Sequence, residues 1–257
     1  MAQLELKEVS KFFGGLAAVN NLDLSVDQGE IVALIGPNGA GKTTAFNLIT
    51  GELSLSGGSI LFEGQSLNRM RPHQIAKLGI VRTYQLVTLF KGYTALENIL
   101  VGFHLQSSVG FFESLLNLSS YRKKEMALYK EALEIMDIMG LRDIEDELAE
   151  NMPHGIQRRL GVAIGLAAKP KILLLDEPLT GMNPSEATEM IETIRSIRDH
   201  FGTTLVVVEH NMRAVMALCE QIVVINFGNK IAEGSPKEIQ SNPKVIEAYL
   251  GSGVNAT

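Results

Sequence analysis

Apolar and polar positions alternate with a period of two at the start of the chain. Leu4, Leu6 and Val9 stand among polar neighbours, and Leu22, Leu24 and Val26 repeat the pattern after the turn signals Gly14-Gly15 and Asn20-Asn21. Such alternation predicts half-buried strands, so this stretch reads as an antiparallel β unit. The pattern then changes to a continuous apolar run at residues 31–35, bounded by glycines, as expected of a strand covered on both faces. Three similar runs occur much later, at residues 172–175, 205–208 and 222–225, with helical periodicity between them. That order predicts a mostly parallel sheet built from βα units.

Residues 95–165 carry helical periodicity and no clear strand pattern. Within 122–139, Tyr129, Ala132, Leu133, Met136 and Met139 fall at helical spacing, and Gly140 supplies a stop. The basic run Arg122-Lys123-Lys124 reads as the solvated first turn of that helix. Residues 103–121, with Phe111-Phe112 and Leu115-Leu116, read as a loop and short helix with an apolar edge. The expected organisation is one domain over 1–257: an α/β core with an antiparallel edge at 1–87 and 166–257, and an inserted α-helical lobe at 88–165. The tail at 251–257 is expected to fray.

Composition narrows the function. The hydrophobic fraction is 46%, enough for a sizeable core, yet no run approaches the ~18 apolar residues that cross a bilayer. The first residues show no secretory signal, so a cytoplasmic location is expected, without a covalent membrane anchor. A net charge of −6 argues against a nucleic-acid partner, which needs clustered positive charge. Cys219 is the single cysteine, in an apolar stretch, which excludes an internal disulfide and suggests a buried structural thiol.

The strongest chemical signal is Gly36-Pro37-Asn38-Gly39-Ala40-Gly41-Lys42-Thr43, with Thr44 next to it, placed directly after a buried-strand pattern. It matches the phosphate-binding loop GxxxxGK[ST]. Small residues let the backbone wrap polyphosphate with its N–H groups turned inward, and the adjoining helix adds its positive end. Lys42 would neutralise phosphate charge and the Thr43 hydroxyl would ligate Mg²⁺. A second buried strand ends on Asp176-Glu177. There Asp176 would hold Mg²⁺ through water, and Glu177 would polarise an attacking water as general base.

Further residues set the order of the site. Gln85 comes after Arg82-Thr83-Tyr84, Gly155 precedes Gln157-Arg158-Arg159, Gly181-Met182-Asn183-Pro184 lies beyond the acidic pair, and His210 comes after Val208-Glu209. In this order the chain resembles the ATP-binding subunits of ABC transporters along essentially its whole length. The resemblance implies a P-loop ATPase fold, ATP and Mg²⁺ as the bound species, Gln85 sensing metal and nucleophilic water, and His210 contacting the γ-phosphate. It also implies Phe13 stacking on adenine, although Phe13 could equally be plain core. Asn183, Pro184 and Glu186 also form a helix start, with Asn183 as N-cap.

A finer resemblance rests on the stretch Gly79 to Gln85, on Leu89-Phe90, Thr94 and Glu97-Asn98-Ile99-Leu100, and on the ending Asn242-Pro243-Lys244-Val245-Ile246-Glu247-Ala248-Tyr249-Leu250-Gly251. These are similar to ATP-binding subunits of branched-chain amino-acid transporters, most of all the LivG type. That likeness implies a partnership with membrane permease subunits and a second, different ATPase subunit, which places the chain peripherally on the inner face of the cell membrane.

One departure stands out. The family signature is usually Leu-Ser-Gly-Gly-Gln, and this chain has Met152-Pro153-His154-Gly155-Ile156. Proline replaces a hydroxyl donor and Ile156 replaces an amide side chain. Two rival readings stand beside the transporter motor: a soluble ABC ATPase without membrane partners, and a regulatory nucleotide-binding subunit that hydrolyses little, for which the altered signature argues.

Overall fold

The structure, a computed structural model, describes residues 2–83, 89–103 and 119–250. Among the described residues ten strands run in chain order: β1 (Ala2–Phe13), β2 (Leu16–Asp27), β3 (Ile31–Ile35), β4 (Gly57–Phe62), β5 (Gln65–Ser66), β6 (Ile80–Thr83), β7 (Ile172–Asp176), β8 (Thr204–Val208), β9 (Gln221–Asn226) and β10 (Asn229–Gly234). The helices are α1 (Lys42–Ile49), α2 (Pro72–Leu78), α3 (Ala95–Phe103), α4 (Ser119–Met139), α5 (His154–Ala167), α6 (Pro184–Phe201), α7 (Met212–Leu218), α8 (Pro236–Gln240) and α9 (Pro243–Leu250).

Two sheets form. The first is four-stranded in the order β2-β1-β4-β5, and its pairings are antiparallel. The second is six-stranded in the order β10-β9-β3-β8-β7-β6, parallel except for the β9–β10 hairpin. Strands β3, β7 and β8 are buried throughout, and alternation sends their side chains to two different cores. Val32, Leu34, Leu174 and Val206 join the four-stranded sheet and α1 through Leu4, Leu22, Phe46 and Ile49. Ile31, Ala33, Leu173 and Val207 face the helical side, with Ile99, Met136, Leu160 and Ile194. The uninterrupted apolar runs are explained by this double cover. Truncating such a residue, Leu174→Ala for instance, is expected to cost ~2 to 5 kcal/mol, readable as a lowered denaturation midpoint.

Between β6 and β7 the described chain is helical, apart from an isolated bridge of Thr94 with Leu148. Helix α4 carries all five of the positions at helical spacing and buries Ala132, Met136 and Met139, while Tyr129 is exposed. The helix also begins at Ser119, ahead of the basic run Arg122-Lys123-Lys124, which therefore lies within it. Gly140 ends it in the left-handed region (φ 64), and the Leu141 N–H donates to the Met136 carbonyl at 2.8 Å. Helix α6 starts as its sequence predicts: Asn183 Oδ1 accepts from Ser185 N–H (2.9 Å) and Glu186 N–H (3.0 Å), while Glu186 Oε2 accepts from Asn183 N–H at 2.9 Å. Cys219 is buried, and burial pushes its thiol up to about 12. No described helix is long and apolar enough to cross a membrane. Gln85, the apolar run Phe111-Phe112 and Leu115-Leu116, and the tail at 251–257 lie outside the described residues.

Candidate active site

The loop from Gly36 to Gly41 joins the C-terminal end of β3 to the first turn of α1. Two glycines are dictated by crowding. A Cβ on Gly36 would collide with the Ile225 carbonyl oxygen, and one on Gly41 (φ 108) with the Ala18 carbonyl oxygen. The loop is thereby clamped between β2 and β9, which fixes the start of α1. Lys42 is almost buried, and its Nζ donates to the carbonyls of Gly36 (2.7 Å) and Pro37 (3.0 Å). Burial lowers its pKa, while the charges of Glu177 and Asp176 act in the opposite direction.

Asp176 ends β7, two strands along the sheet from β3. Its Oδ2 accepts from an Arg82 guanidinium N–H at 2.6 Å, and the two side chains are 6% and 5% exposed. Arg82 also donates to Asn47 Oδ1 at 2.5 Å and lies over the Phe46 ring, so β6, α1 and β7 are tied together under the loop. Sequence reasoning did not single out Arg82; a lone arginine before a glutamine carries no signal until the sheet order puts β6 beside β7. Because both charges are buried, Arg82→Met leaves an uncompensated carboxylate. The expected loss is about 3 to 5 kcal/mol of stability, measured by denaturant unfolding.

Glu177 sits in the left-handed region (φ 48), an unusual conformation for a side-chain-bearing residue. It is held by its N–H bonding to the Val208 carbonyl at 2.9 Å, and Oε2 accepts from the Thr180 hydroxyl at 3.2 Å. His210, just beyond β8, places Nδ1 3.9 Å from Glu177 Oε1. Beneath them Glu209 is buried and accepts from the N–H groups of Leu179 (2.9 Å), His210 (3.1 Å) and Asn211 (3.4 Å), stapling the two loops together. Burial raises its pKa against the pull of those donors. The buried Arg158 of α5 faces the same acidic group; burial lowers its pKa, and Glu177, Asp176 and Glu209 oppose that shift.

Two adjoining cavities form a trough over these residues. One, of about 430 Å³, is lined by Phe13, Asn38 to Thr44, Glu177 and Phe227. The other, of about 520 Å³, is lined by Gly36 to Asn38, Glu177, His210 and Tyr249. Phe13 is half exposed at the rim, which removes the core alternative for it. Tyr249 comes from α9, and burial pushes its hydroxyl up to about 12. The sequence-predicted residues Phe13, Gly36 to Thr44, Glu177 and His210 thus surround one trough, and Asp176 precedes Glu177 at the end of β7. Thr43 and Asp176 supply two oxygen donors, too few for an all-protein cage. Such a pair suits Mg²⁺, which completes its shell with phosphate oxygens and water.

At the altered signature, Pro153 precedes the first turn of α5. The Gln157 side-chain amide donates to the carbonyls of Ala149 (3.2 Å) and Met152 (3.0 Å), His154 packs against Gly181, and Glu186 lies against Gly155.

A fold of this kind with a phosphate loop, a strand-end acidic pair and a histidine just beyond the next strand is that of an ATP-hydrolysing cassette. The model of the ABC transporter family matches residues 19–180, and that of the branched-chain amino acid ATP-binding cassette transporter matches residues 229–255. The high-affinity branched-chain amino acid transport ATP-binding protein LivG of Escherichia coli (strain K12) is 45% identical over 239 residues, covering 93% of this chain and 94% of that one. The corresponding protein BraF of Pseudomonas aeruginosa is 40% identical over 248 residues, covering 96% and 97%. Among solved structures, a nucleotide-free ATP-binding cassette from an ABC transporter superposes with a TM-score of 0.84 at 30% identity, covering 98% of this chain and 100% of that one. The ADP conformation of an ATP-binding cassette gives 0.85 at 30% identity, covering 98% and 99%. The chain belongs to the ABC transporter family, as an ATP-binding and ATP-hydrolysing subunit of the LivG type.

Proposed function

We propose that this subunit powers the transport of branched-chain or related amino acids through separate permease subunits, which hold it on the inner face of the membrane. The observation that carries the reading is the single trough in which the phosphate loop, Glu177 and His210 meet, with Asp176 next to Glu177 at the end of β7. The substrate class is supported by the names of LivG and BraF and by the match over residues 229–255. In this reading the domain divides into the core at 1–87 and 166–257 and the helical lobe at 88–165.

Each residue then has a task. Phe13 stacks on adenine, and the backbone from Gly36 to Gly41, with Thr44 beside it, cradles the phosphates. Lys42 exchanges its two carbonyl contacts for phosphate oxygens. Thr43, Asp176 and Gln85 hold Mg²⁺, which when bound neutralises charge on the phosphate oxygens. Glu177 takes a proton from the attacking water, and His210, within reach of Glu177, steadies the γ-phosphate side. Labelled leucine uptake or efflux in vesicles with and without ATP tests the substrate class; ATP-driven movement of an unrelated solute alone would replace it.

The second ATPase is best read as a different chain, so that the two sandwiched sites are unequal. The support is the contrast between this chain's full nucleotide set and its run Pro153-His154-Gly155-Ile156. The site closed by that run lacks at least two side-chain donors, at ~1 kcal/mol each enough for a roughly tenfold to hundredfold loss in turnover. Restoring the usual signature by Pro153→Ser, His154→Gly and Ile156→Gln is expected to raise ATPase activity of the assembled complex, about twofold if the second site then matches the first. Equal losses from Glu177→Gln here and from the matching change in the other subunit, with no gain from restoration, would show that the run serves as well as the usual one.

A further inference from the structure

We propose that Phe227, on the turn between β9 and β10, is a second residue that contacts the nucleotide base, acting beside Phe13. The inference rests on reading the 430 Å³ cavity as the ATP site, since Phe227 lines that cavity together with Phe13 and the phosphate loop.

Three observations carry it. Phe227 is 80% exposed, the most exposed large apolar side chain among the described residues, so packing does not account for it. Its backbone is also in the left-handed region at φ 46. Glycine or asparagine takes that conformation readily in a hairpin turn, whereas a phenylalanine is strained there. A strained backbone that presents an aromatic ring to water beside a ligand cavity is a feature associated with functional sites.

The turn is also not a free tip. Gly228 N–H donates to the Ala40 carbonyl of the phosphate loop at 2.9 Å, and the Gly228 carbonyl accepts from Asn20 N–H of β2 at 2.9 Å. Asn229 reaches back, its Nδ2 donating to the Phe227 carbonyl at 2.9 Å, while Asn20 Nδ2 donates to Asn229 Oδ1 at 2.9 Å. The carbonyls of Ala17 and Ala18 lie so close to Gly228 that a side chain there would press on both. Phe227 is therefore fixed in register with the loop that holds the phosphates and with the β1–β2 end that carries Phe13. A ligand whose phosphates lie on Ala40 and Gly41 brings its base to these two rings. Aromatic faces suit a purine through stacking, without hydrogen-bond readout of its edge.

The chain contains no tryptophan, so Phe227→Trp introduces a lone fluorophore at the cavity rim. Its emission is expected to change saturably with MgATP, with the half-saturation that calorimetry gives, and to stay constant with magnesium tripolyphosphate, which has no base. Phe227→Gly removes the ring and relieves the backbone. It is expected to keep or raise the thermal midpoint while weakening MgATP roughly three- to tenfold and leaving tripolyphosphate affinity unchanged. A silent tryptophan and full MgATP affinity in the glycine variant would overturn the assignment, as would an equal emission change with tripolyphosphate, which reports loop movement. Failure of the unmodified chain to bind MgATP in calorimetry would instead overturn the reading of the cavity itself.

Discussion

Replacing Glu177 by glutamine is expected to leave ATP binding intact and to lower hydrolysis by about two orders of magnitude or more, the range for loss of a positioned general base. The glutamine is isosteric, and the features that place residue 177 belong to the backbone and its neighbours: its N–H on the Val208 carbonyl, the left-handed φ of 48, and the Glu209 staple below. The fold and the phosphate contacts do not depend on the carboxylate charge, whereas proton removal from water does. ATP should then hold two subunits together as a stable sandwich, seen as an ATP-dependent increase in mass by light scattering. Undiminished turnover would remove Glu177 from the mechanism.

Lys42→Ala acts on the other half of the site. The lysine is nearly buried, and burial already disfavours its charge, with Glu177 and Asp176 opposing that effect. A cation held in such surroundings is well placed for a polyphosphate, because charge-assisted contacts contribute roughly 1.5 to 3 kcal/mol each. Calorimetric titration is expected to show MgATP weakened about tenfold or more. Unchanged affinity would mean that this loop is not the phosphate site.

Much of this site is legible in the sequence because it is local. The loop and its Lys42-Thr43 lie within one short run, and Asp176-Glu177 ends an unbroken apolar strand, so spacing alone reveals both. His210 and Phe13 need the family order as well, and the half exposure of Phe13 settles a choice that sequence leaves open. The strands β4, β5 and β6 carry no clear sequence pattern: Gly57–Phe62 opens on two glycines, Gln65–Ser66 is too short to show a period, and Ile80–Thr83 is only partly buried. Arg82, Glu209, Phe227 and Tyr249 escape sequence reasoning too. Each reaches the site through a pairing of elements distant in sequence, and no periodicity records which strand lies beside which. Only its burial and its backbone donors show Glu209 stapling two loops.

The most direct test of the account is ATP-driven movement of labelled leucine across proteoliposomes that contain the permease subunits, the second ATPase and this chain. The account predicts movement that requires ATP on the face where this chain is bound, and that stops when only Glu177 of this chain is changed to glutamine. Leucine movement that continues with Glu177→Gln, or a complex that hydrolyses ATP and moves no branched-chain amino acid, would contradict it.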